Sequence, residues 1–306
     1  MNFLSNRTIS VGYNLDGQRF FDVCAKFKKY IGEIYFSTET TMPGVPIDKS
    51  FVLSTISNVE RYDFPLNIVL NRPEITINRH IENLEQVLDL LPIQKVTVLD
   101  RVIAYKIHEK FPNISIDLST HSYIDDIRTI REISFVNVLN ISEPDRCIYS
   151  DEFIREVRDL GIKIRYIVNR QCLYNTKKTI RRLFSPKFEC CKSGTNLTNR
   201  CKKIMELHPW LAMVSTALYK EDLIYNPWID CIKLSTRELR SYHINDMLMY
   251  WTTQKPTEFA YGLDIRSEER YSKFLQIEQI KANCSHICRE CLACKYMYDE
   301  LIGELG

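Results

Sequence analysis

Short runs of β-branched and aliphatic residues recur along most of the chain, and between them apolar side chains return at every third or fourth position. The runs are Thr8–Val11, Glu33–Phe36, Leu66–Leu70, Lys95–Leu99, Ser115–Leu118, Phe135–Leu139, Ile162–Val168 and Ile229–Leu234. Such short, apolar-rich runs suit strands buried in a parallel sheet. Helical spacing marks Phe20–Tyr30, Ile81–Leu91, Val102–Lys110, Ile124–Ile133 and Asp151–Leu160. In the last of these, Phe153, Val157 and Leu160 share one face, and Gly161 stands where a helix C-cap belongs. Eight buried strands alternating with helices, joined by right-handed crossovers, predict a closed (β/α)8 TIM-like barrel; an open doubly wound sheet is the alternative.

One connection breaks the rhythm. Some 60 residues separate Val168 from Ile229, about twice what a single helix needs, and long connections in compact domains are usually functional. Helices are expected at Leu197–Leu207 and, as a short element, at Glu221–Tyr225. After the eighth run, Glu238–Trp251 reads as the closing helix, and Lys255-Pro256-Thr257 marks a break. The expected organisation is a barrel over 1–258 followed by a helical, cysteine-rich extension over 259–306, with a helix at Glu268–Lys281.

Composition narrows the class. With 306 residues the chain can bury a full core, and a formal charge of +2 supplies no global field for gathering nucleic acid. No apolar run approaches the ~20 residues that cross a bilayer, and Met1–Arg7 lacks the segments of a signal peptide, so a cytoplasmic protein is expected. In a reducing compartment 11 cysteines are not a disulfide framework, which turns attention to metal binding. Cys24 and Cys147 read as small buried thiols.

The remaining cysteines form two groups. Cys172, Cys190, Cys191 and Cys201 lie in the long connection; Cys284-x3-Cys288-x2-Cys291-x2-Cys294 lies near the C-terminus. Four thiols so close in sequence can converge on one centre with little loop-closure cost, and the compact run is nearer the ferredoxin style than the paired knuckles of structural zinc. Iron–sulfur is the first reading there and zinc the second. The spacing Cys284-x3-Cys288-x2-Cys291 is also that of radical S-adenosylmethionine enzymes, but those place it after the first barrel strand, where this chain has Gly12-Tyr13-Asn14-Leu15-Asp16 and no cysteine.

A barrel enzyme does its chemistry beyond the carboxyl ends of its strands. The residues at those positions are Tyr13 and Asn14; Ser37, Thr38 and Glu39; Asn71 and Arg72; Asp100 and Arg101; Thr120 and His121; Asn140; Asn169 and Arg170; and Ser235, Thr236 and Arg237. Any single Asn, Asp, Ser or Thr among them also suits a turn or a helix cap. Arg72, Arg101, Arg170 and Arg237 together would suit a carboxylate or phosphate substrate, because the planar guanidinium binds both bidentately. His121 is the candidate for proton transfer near neutral pH.

The stretch Tyr166-Ile-Val-Asn169-Arg-Gln-Cys172-Leu-Tyr-Asn, then Asn199-Arg-Cys201-Lys-Lys, then Tyr219-Lys-Glu221-Asp222-Leu223, resembles peptidase family U32, as does Trp228-Ile-Asp230-Cys-Ile-Lys233-Leu-Ser-Thr-Arg237-Glu238. Glu33-Ile-Tyr-Phe36 and Ser119-Thr-His121-Ser122 sit where that family has strand-end motifs, so the resemblance covers roughly residues 8 to 252. It implies a TIM-like barrel with a [4Fe-4S] cluster held by four cysteines near the end of the seventh strand, and oxygen-independent hydroxylation or RNA modification more than proteolysis. Cys172 and Cys201 match family cysteines, but the family's next cysteine position is Thr176 here, and the histidines that usually follow are missing. Cys190 or Cys191 is then needed as a replacement, with Cys231 completing the set; Cys172, Cys191, Cys201 and Cys231 are the favoured ligands.

The first functional reading is therefore a U32-like [4Fe-4S] enzyme, with one cluster or two, performing redox or group-transfer modification of an anionic small-molecule, peptide or RNA substrate. Arg72, Arg170 and Arg237 would hold the anion, and an electron-donor protein would be a partner. The alternative is a metal-stabilised accessory protein that binds RNA or a partner through Lys177–Arg182, Arg200, Lys202 and Lys203. Peptide hydrolysis finds no support, because neither a Gly-x-Ser-x-Gly turn nor a His-Glu-x-x-His helix is present.

Overall fold

The computed structural model describes residues 4, 7–41, 49–72, 75–99, 101–120, 122, 126–142, 151–168, 207, 228–237, 239–253, 276 and 292–303. Eight parallel strands close on themselves in chain order: β1 Thr8–Gly12, β2 Ile31–Ser37, β3 Leu66–Leu70, β4 Lys95–Val98, β5 Ser115–Leu118, β6 Val138–Ser142, β7 Lys163–Ile167 and β8 Cys231–Leu234. Each strand pairs with the next, and β8 returns to β1 through Thr8 opposite Cys231 and Val11 opposite Leu234. The chain is a (β/α)8 barrel. The doubly wound alternative is excluded by the β8–β1 pairing.

Described helices fill the connections: α1 Gln18–Lys26, α2 Lys49–Tyr62, α3 Ile77–Leu88, α4 Arg101–Lys110, α5 Ile127–Glu132, α6 Asp151–Asp159 and α7 Ser241–Thr253, with α8 Ala293–Gly303 near the C-terminus. None is long and apolar enough to cross a membrane. Local chemistry sets several ends. Thr76 caps α3 by accepting from the Arg79 amide at 3.3 Å, and Asp126 caps α5 by accepting from Arg128. Gly161 takes φ 81° after α6, its amide donating to Arg158 O at 2.8 Å and that of Ile162 to Val157 O at 3.3 Å. That is the Schellman pattern, at the glycine where the sequence placed it.

Helix α2 is not among the segments marked by apolar spacing, since its face mixes Ser, Thr and Asn with Val and Leu. Strand β6 begins three residues later than its apolar run. Ile133 and Val136 are buried in a turn before it, closed by the Val136 amide on Ile133 O, and Phe135 stacks on His108 of α4 with ring centroids 4.1 Å apart. These apolar residues cover a helix without joining the sheet.

The core is a shell. Ile9 and Val11, Ile34 and Phe36, Leu66, Ile68 and Leu70, Val96 and Val98, Ile116 and Leu118, Ile164 and Tyr166, and Ile232 and Leu234 are all buried on the outer face of the strands, under the helices. At about 25 cal/mol per Å² this layer supplies most of the driving force for folding. The alternate positions face the axis, and they are polar: Ser10, Glu33, Asn67, Thr97, Asp117, Asn140, Arg165 and Lys233. Barrel interiors are usually packed with branched aliphatic side chains.

The chain divides into two compact units, Met1–Ile167 with Trp228–Asn245, and Val168–Pro227 with Asp246–Gly306. The barrel strands all belong to the first.

Candidate active site

Arg165 stands at the centre of the interior. It donates to Asp117 Oδ2 at 2.7 Å and to Glu33 Oε2 at 2.8 Å, and all three side chains are almost fully buried. Ser10 Oγ (2.7 Å) and Asn67 Nδ2 (3.1 Å) donate to the other oxygen of Glu33, while Lys95 Nζ approaches Oε2 at 3.3 Å. Asn67 also donates to Asp117 Oδ2 and accepts from Thr97 Oγ1, so strands β1 to β5 and β7 are tied by one network. Strand pairing dictates this convergence, because each of these residues sits at an inward position of its strand.

The two carboxylates respond oppositely. Burial alone would raise the Glu33 pKa, but the charges of Arg165 and Lys95 outweigh it and bring Glu33 to about 2. At Asp117 burial wins over Arg165, with Glu33 adding repulsion, and the pKa is raised. Arg165, buried between both, is held protonated more firmly than usual by Glu33 and Asp117 despite burial.

Above this network lies a second group, at the carboxyl ends of β1, β2 and β8. Tyr35 of β2 crosses β1 and donates its hydroxyl hydrogen to Leu234 O of β8 at 2.7 Å. The crossing requires Gly12: a Cβ there would lie 2.7 Å from Tyr35 Cζ and Oη and 2.9 Å from Arg237 Cγ. The Lys233 ammonium lies 3.9 Å from the centroid of the Tyr35 ring, and the Arg237 guanidinium carbon 5.9 Å from the same centroid. Arg237 also donates to Ser37 Oγ. Thr236 fixes the turn carrying Arg237, its hydroxyl accepting from Gly12 N at 2.8 Å and donating to Gly12 O at 2.7 Å.

Lys233 is 7% exposed, and no described carboxylate lies within ion-pair distance of its ammonium. Burial, then the neighbouring charges of Arg165 and Arg237, lower its pKa to about 7 against the opposing pull of Glu33. Burial likewise pushes the Tyr35 phenol up. Asn71 Nδ2 donates to Ser119 Oγ at 3.3 Å, adding a polar pair at the ends of β3 and β5. Three buried atoms on consecutive strands, Asp117 Oδ1, Asn140 Oδ1 and Arg165 Nε, make no hydrogen bond within the described structure.

The arginine ring expected from the sequence is only partly assembled. Arg237 takes its place over the mouth. Arg101 begins α4 and pairs with Glu132 at 3.2 Å on the outer surface, so it leaves the ring. Arg72 lies at the end of β3, where its guanidinium donates to Glu39 O at 3.4 Å and its amide to Thr40 O. Asn14 and Asp16 turn out to be structural: Asp16 accepts from the amide and hydroxyl of Ser241 and starts α7. Thr38, Thr40 and Thr41 form the turn after β2, with Thr40 Oγ1 donating to Asn83 Oδ1 at 3.0 Å. Arg170 and His121 lie outside the described residues.

Cys231 corrects an expectation. It opens β8, opposite Thr8 and Arg165, at the amino end of the barrel and one strand length below the rim where the cluster was expected. Its buried thiol donates to Ile232 O at 3.4 Å and lies against Arg165, a setting unsuited to a cluster ligand at the mouth. Cys24 is buried in α1, and burial pushes its thiol well above the ordinary range, as expected of an inert core residue. Cys172, Cys190, Cys191, Cys201, Cys284, Cys288 and Cys291 lie outside the described residues, as do the basic residues 177–182, 200, 202 and 203; for Cys294 only the helical backbone is described. Among the described residues no cluster of His, Cys, Asp or Glu could hold a metal ion.

Glu33, Tyr35, Asn67, Asp117, Arg165 and Lys233 were missed as site residues, yet they left a signal. One polar or charged residue stands inside nearly every apolar strand, an arrangement that only a polar barrel lumen accommodates.

No protein-family model matches the sequence, and no curated protein matches it. Solved structures share its fold at a distance. The U32 peptidase Mk0906 is 13% identical with a TM-score of 0.46, the alignment covering 74% of this chain and 92% of that one. A monomeric dihydrodipicolinate synthase variant is 12% identical (TM-score 0.43, covering 92% and 98%). Orotidine 5'-monophosphate decarboxylase from Methanocaldococcus jannaschii is 8% identical (TM-score 0.38, covering 79% and 98%). Likeness at this level concerns architecture and assigns no activity.

Proposed function

We propose that this barrel is an enzyme acting on a small anionic substrate, or an anionic group of a larger one, bound at the carboxyl ends of the strands. The observation that carries the reading is the pairing of Lys233 and Arg237 on one Tyr35 ring beside hydroxyl and amide groups. Positive charge collects there, whereas Glu33 and Asp117 are already engaged by Arg165 deeper in the barrel. A lysine and an arginine set among hydroxyl and amide groups are suited to a carboxylate or phosphate.

The chemistry we assign is oxygen-independent modification of the U32 kind. It rests on the motif around Cys172 and Cys201 and on the Trp228–Glu238 segment. An iron–sulfur cluster on Cys172, Cys201 and Cys190 or Cys191 would supply redox chemistry, and with Cys231 placed elsewhere the fourth position falls to another group. Arg237 would orient the anion, and the aromatic floor of Tyr35 would keep Lys233 near it.

Two measurements test this reading. Anaerobically purified protein should contain iron and sulfide and absorb near ~400 nm, as cluster proteins do; colourless protein with stoichiometric zinc refutes the cluster. Simple carboxylates or phosphate should raise the melting temperature of the wild type and not of Arg237→Gln. Equal response of both proteins refutes the anion site.

A further inference from the structure

We infer that Lys233 is a nucleophile that forms an imine with a 2-oxo acid whose carboxylate is held by Arg237. The inference rests on the anion-site reading above and adds to it the substrate class and the reacting atom.

An amine that attacks a carbonyl must be unprotonated, sheltered from water and free of a carboxylate that would hold it as an ammonium. Lys233 meets each condition. It is buried at an inward position of β8, one residue before that strand's carboxyl end, the end at which barrel enzymes bind their substrates. Its described contact is the face of Tyr35, 3.9 Å from the ring centroid, which positions the nitrogen and has no basic site to take its proton. Of the described carboxylates that act on it, Glu33 has four donors, and Asp117 takes Arg165 and Asn67 on Oδ2. The charged groups that act on Lys233 are Arg165 and Arg237 against Glu33 and Asp117, and with burial the cations prevail, so an amine fraction is present near neutrality. A purely structural lysine in a lumen would be expected to pair with a carboxylate, as Lys95 does with Glu33 at 3.3 Å.

The second group defines the ligand. Arg237 lies over the same ring, so an acid whose carbonyl carbon is next to its carboxylate would offer the carboxylate to the guanidinium and the carbonyl to the Lys233 amine. In the reaction the Lys233 lone pair forms a C–N bond as the carbonyl π bond opens onto oxygen. That oxygen takes up two protons, one from the amine and one from solvent, and leaves as water; the resulting iminium keeps the carboxylate on Arg237 and needs no oxidant or reductant.

The test uses the full-length protein with pyruvate, glyoxylate or 2-oxoglutarate and sodium cyanoborohydride, followed by peptide mass spectrometry. The expected result is a saturable reduced adduct on Lys233, roughly tenfold above that on any exposed lysine, as an activated amine requires. Arg237→Gln should lower the yield, and Lys233→Arg should remove that adduct while leaving surface labelling unchanged. Labelling spread over exposed lysines with Lys233 unmodified in the wild type overturns the inference, whatever the fate of the variants. Propionate, which has the carboxylate and no carbonyl, separates the two readings. If it shifts the melting temperature in an Arg237-dependent way while no 2-oxo acid labels Lys233, only the imine is wrong; if neither occurs, both readings fall.

Discussion

Replacing Arg165 by methionine should destabilise the barrel strongly, and by an amount that depends on pH in a defined direction. The guanidinium makes charge-assisted hydrogen bonds of 2.7 and 2.8 Å to two carboxylates that are each 1% exposed. Methionine fills much of the volume and leaves both acids without their main partner. Breaking a buried ion pair from one side typically costs about 3–5 kcal/mol. With a urea dependence of roughly 3 kcal/mol per molar, that lowers the unfolding midpoint by about 1 M or more. Because Glu33 titrates near 2 in the folded protein and about 4.3 when unfolded, it contributes stability that is fully present above the unfolded value and is lost as pH falls toward 2. In the variant burial governs, the folded pKa rises above the unfolded one, and the sign of the Glu33 contribution reverses. The deficit of Arg165→Met should therefore be largest near pH 7 and should shrink below pH ~4. Urea titrations of both proteins across this range, read by tryptophan fluorescence and circular dichroism, measure it. A deficit under about 1 kcal/mol, or one constant with pH, would refute the account of the lumen as a charge-balanced network.

The two acids should part company on neutralisation. Glu33→Gln turns an amide toward four donors and should cost about 1–3 kcal/mol, whereas Asp117→Asn keeps an acceptor for Arg165, removes a group whose charged form burial disfavours, and should change stability by less than about 1 kcal/mol. Lys233→Met should stabilise the protein at neutral pH, by about 1–4 kcal/mol if it behaves as other buried charges do. In the wild type the folded pKa near 7 lies below the unfolded ~10.4, so stability should climb with pH between those values, and a melt series should show that slope flattened in the variant. Gly12→Ala should displace the Tyr35 ring and Arg237 together and cost about 1–3 kcal/mol; it should also abolish the stabilisation by carboxylates, and an alanine variant that still responds to them would show that the ring is not the floor of the site.

Much of the architecture is legible in the residues because parallel strands must be apolar on the side facing the helices, and each of the eight runs overlaps one of the eight strands. Boundaries failed where distant groups decide them. Helix α7 starts at Ser241, three residues after its expected beginning, because Asp16 reaches it from the far end of the chain. The rim was read as a set of arginines, yet Arg101 is drawn to Glu132 on a neighbouring helix and only three-dimensional placement reveals it. Cys231 was expected to complete the ligand set as a residue of the last strand; a strand carries its first and last residues to opposite ends of a barrel, and Cys231 is the first. Lys233 went unremarked as a chemical group because a polar residue inside an apolar strand marks the lumen without saying what the side chain meets there. Its environment is made by Tyr35 and Arg165, which come from other strands.

The seam between β8 and β1 has a consequence for how the molecule comes into being. Its closing contacts, the paired hydrogen bonds of Thr236 with Gly12 among them, join positions 224 residues apart. During synthesis the first strand must therefore wait, with one edge unsatisfied, until nearly the whole cylinder has emerged from the ribosome. Such distant pairing slows folding and leaves an exposed edge open to rival chains in the meantime.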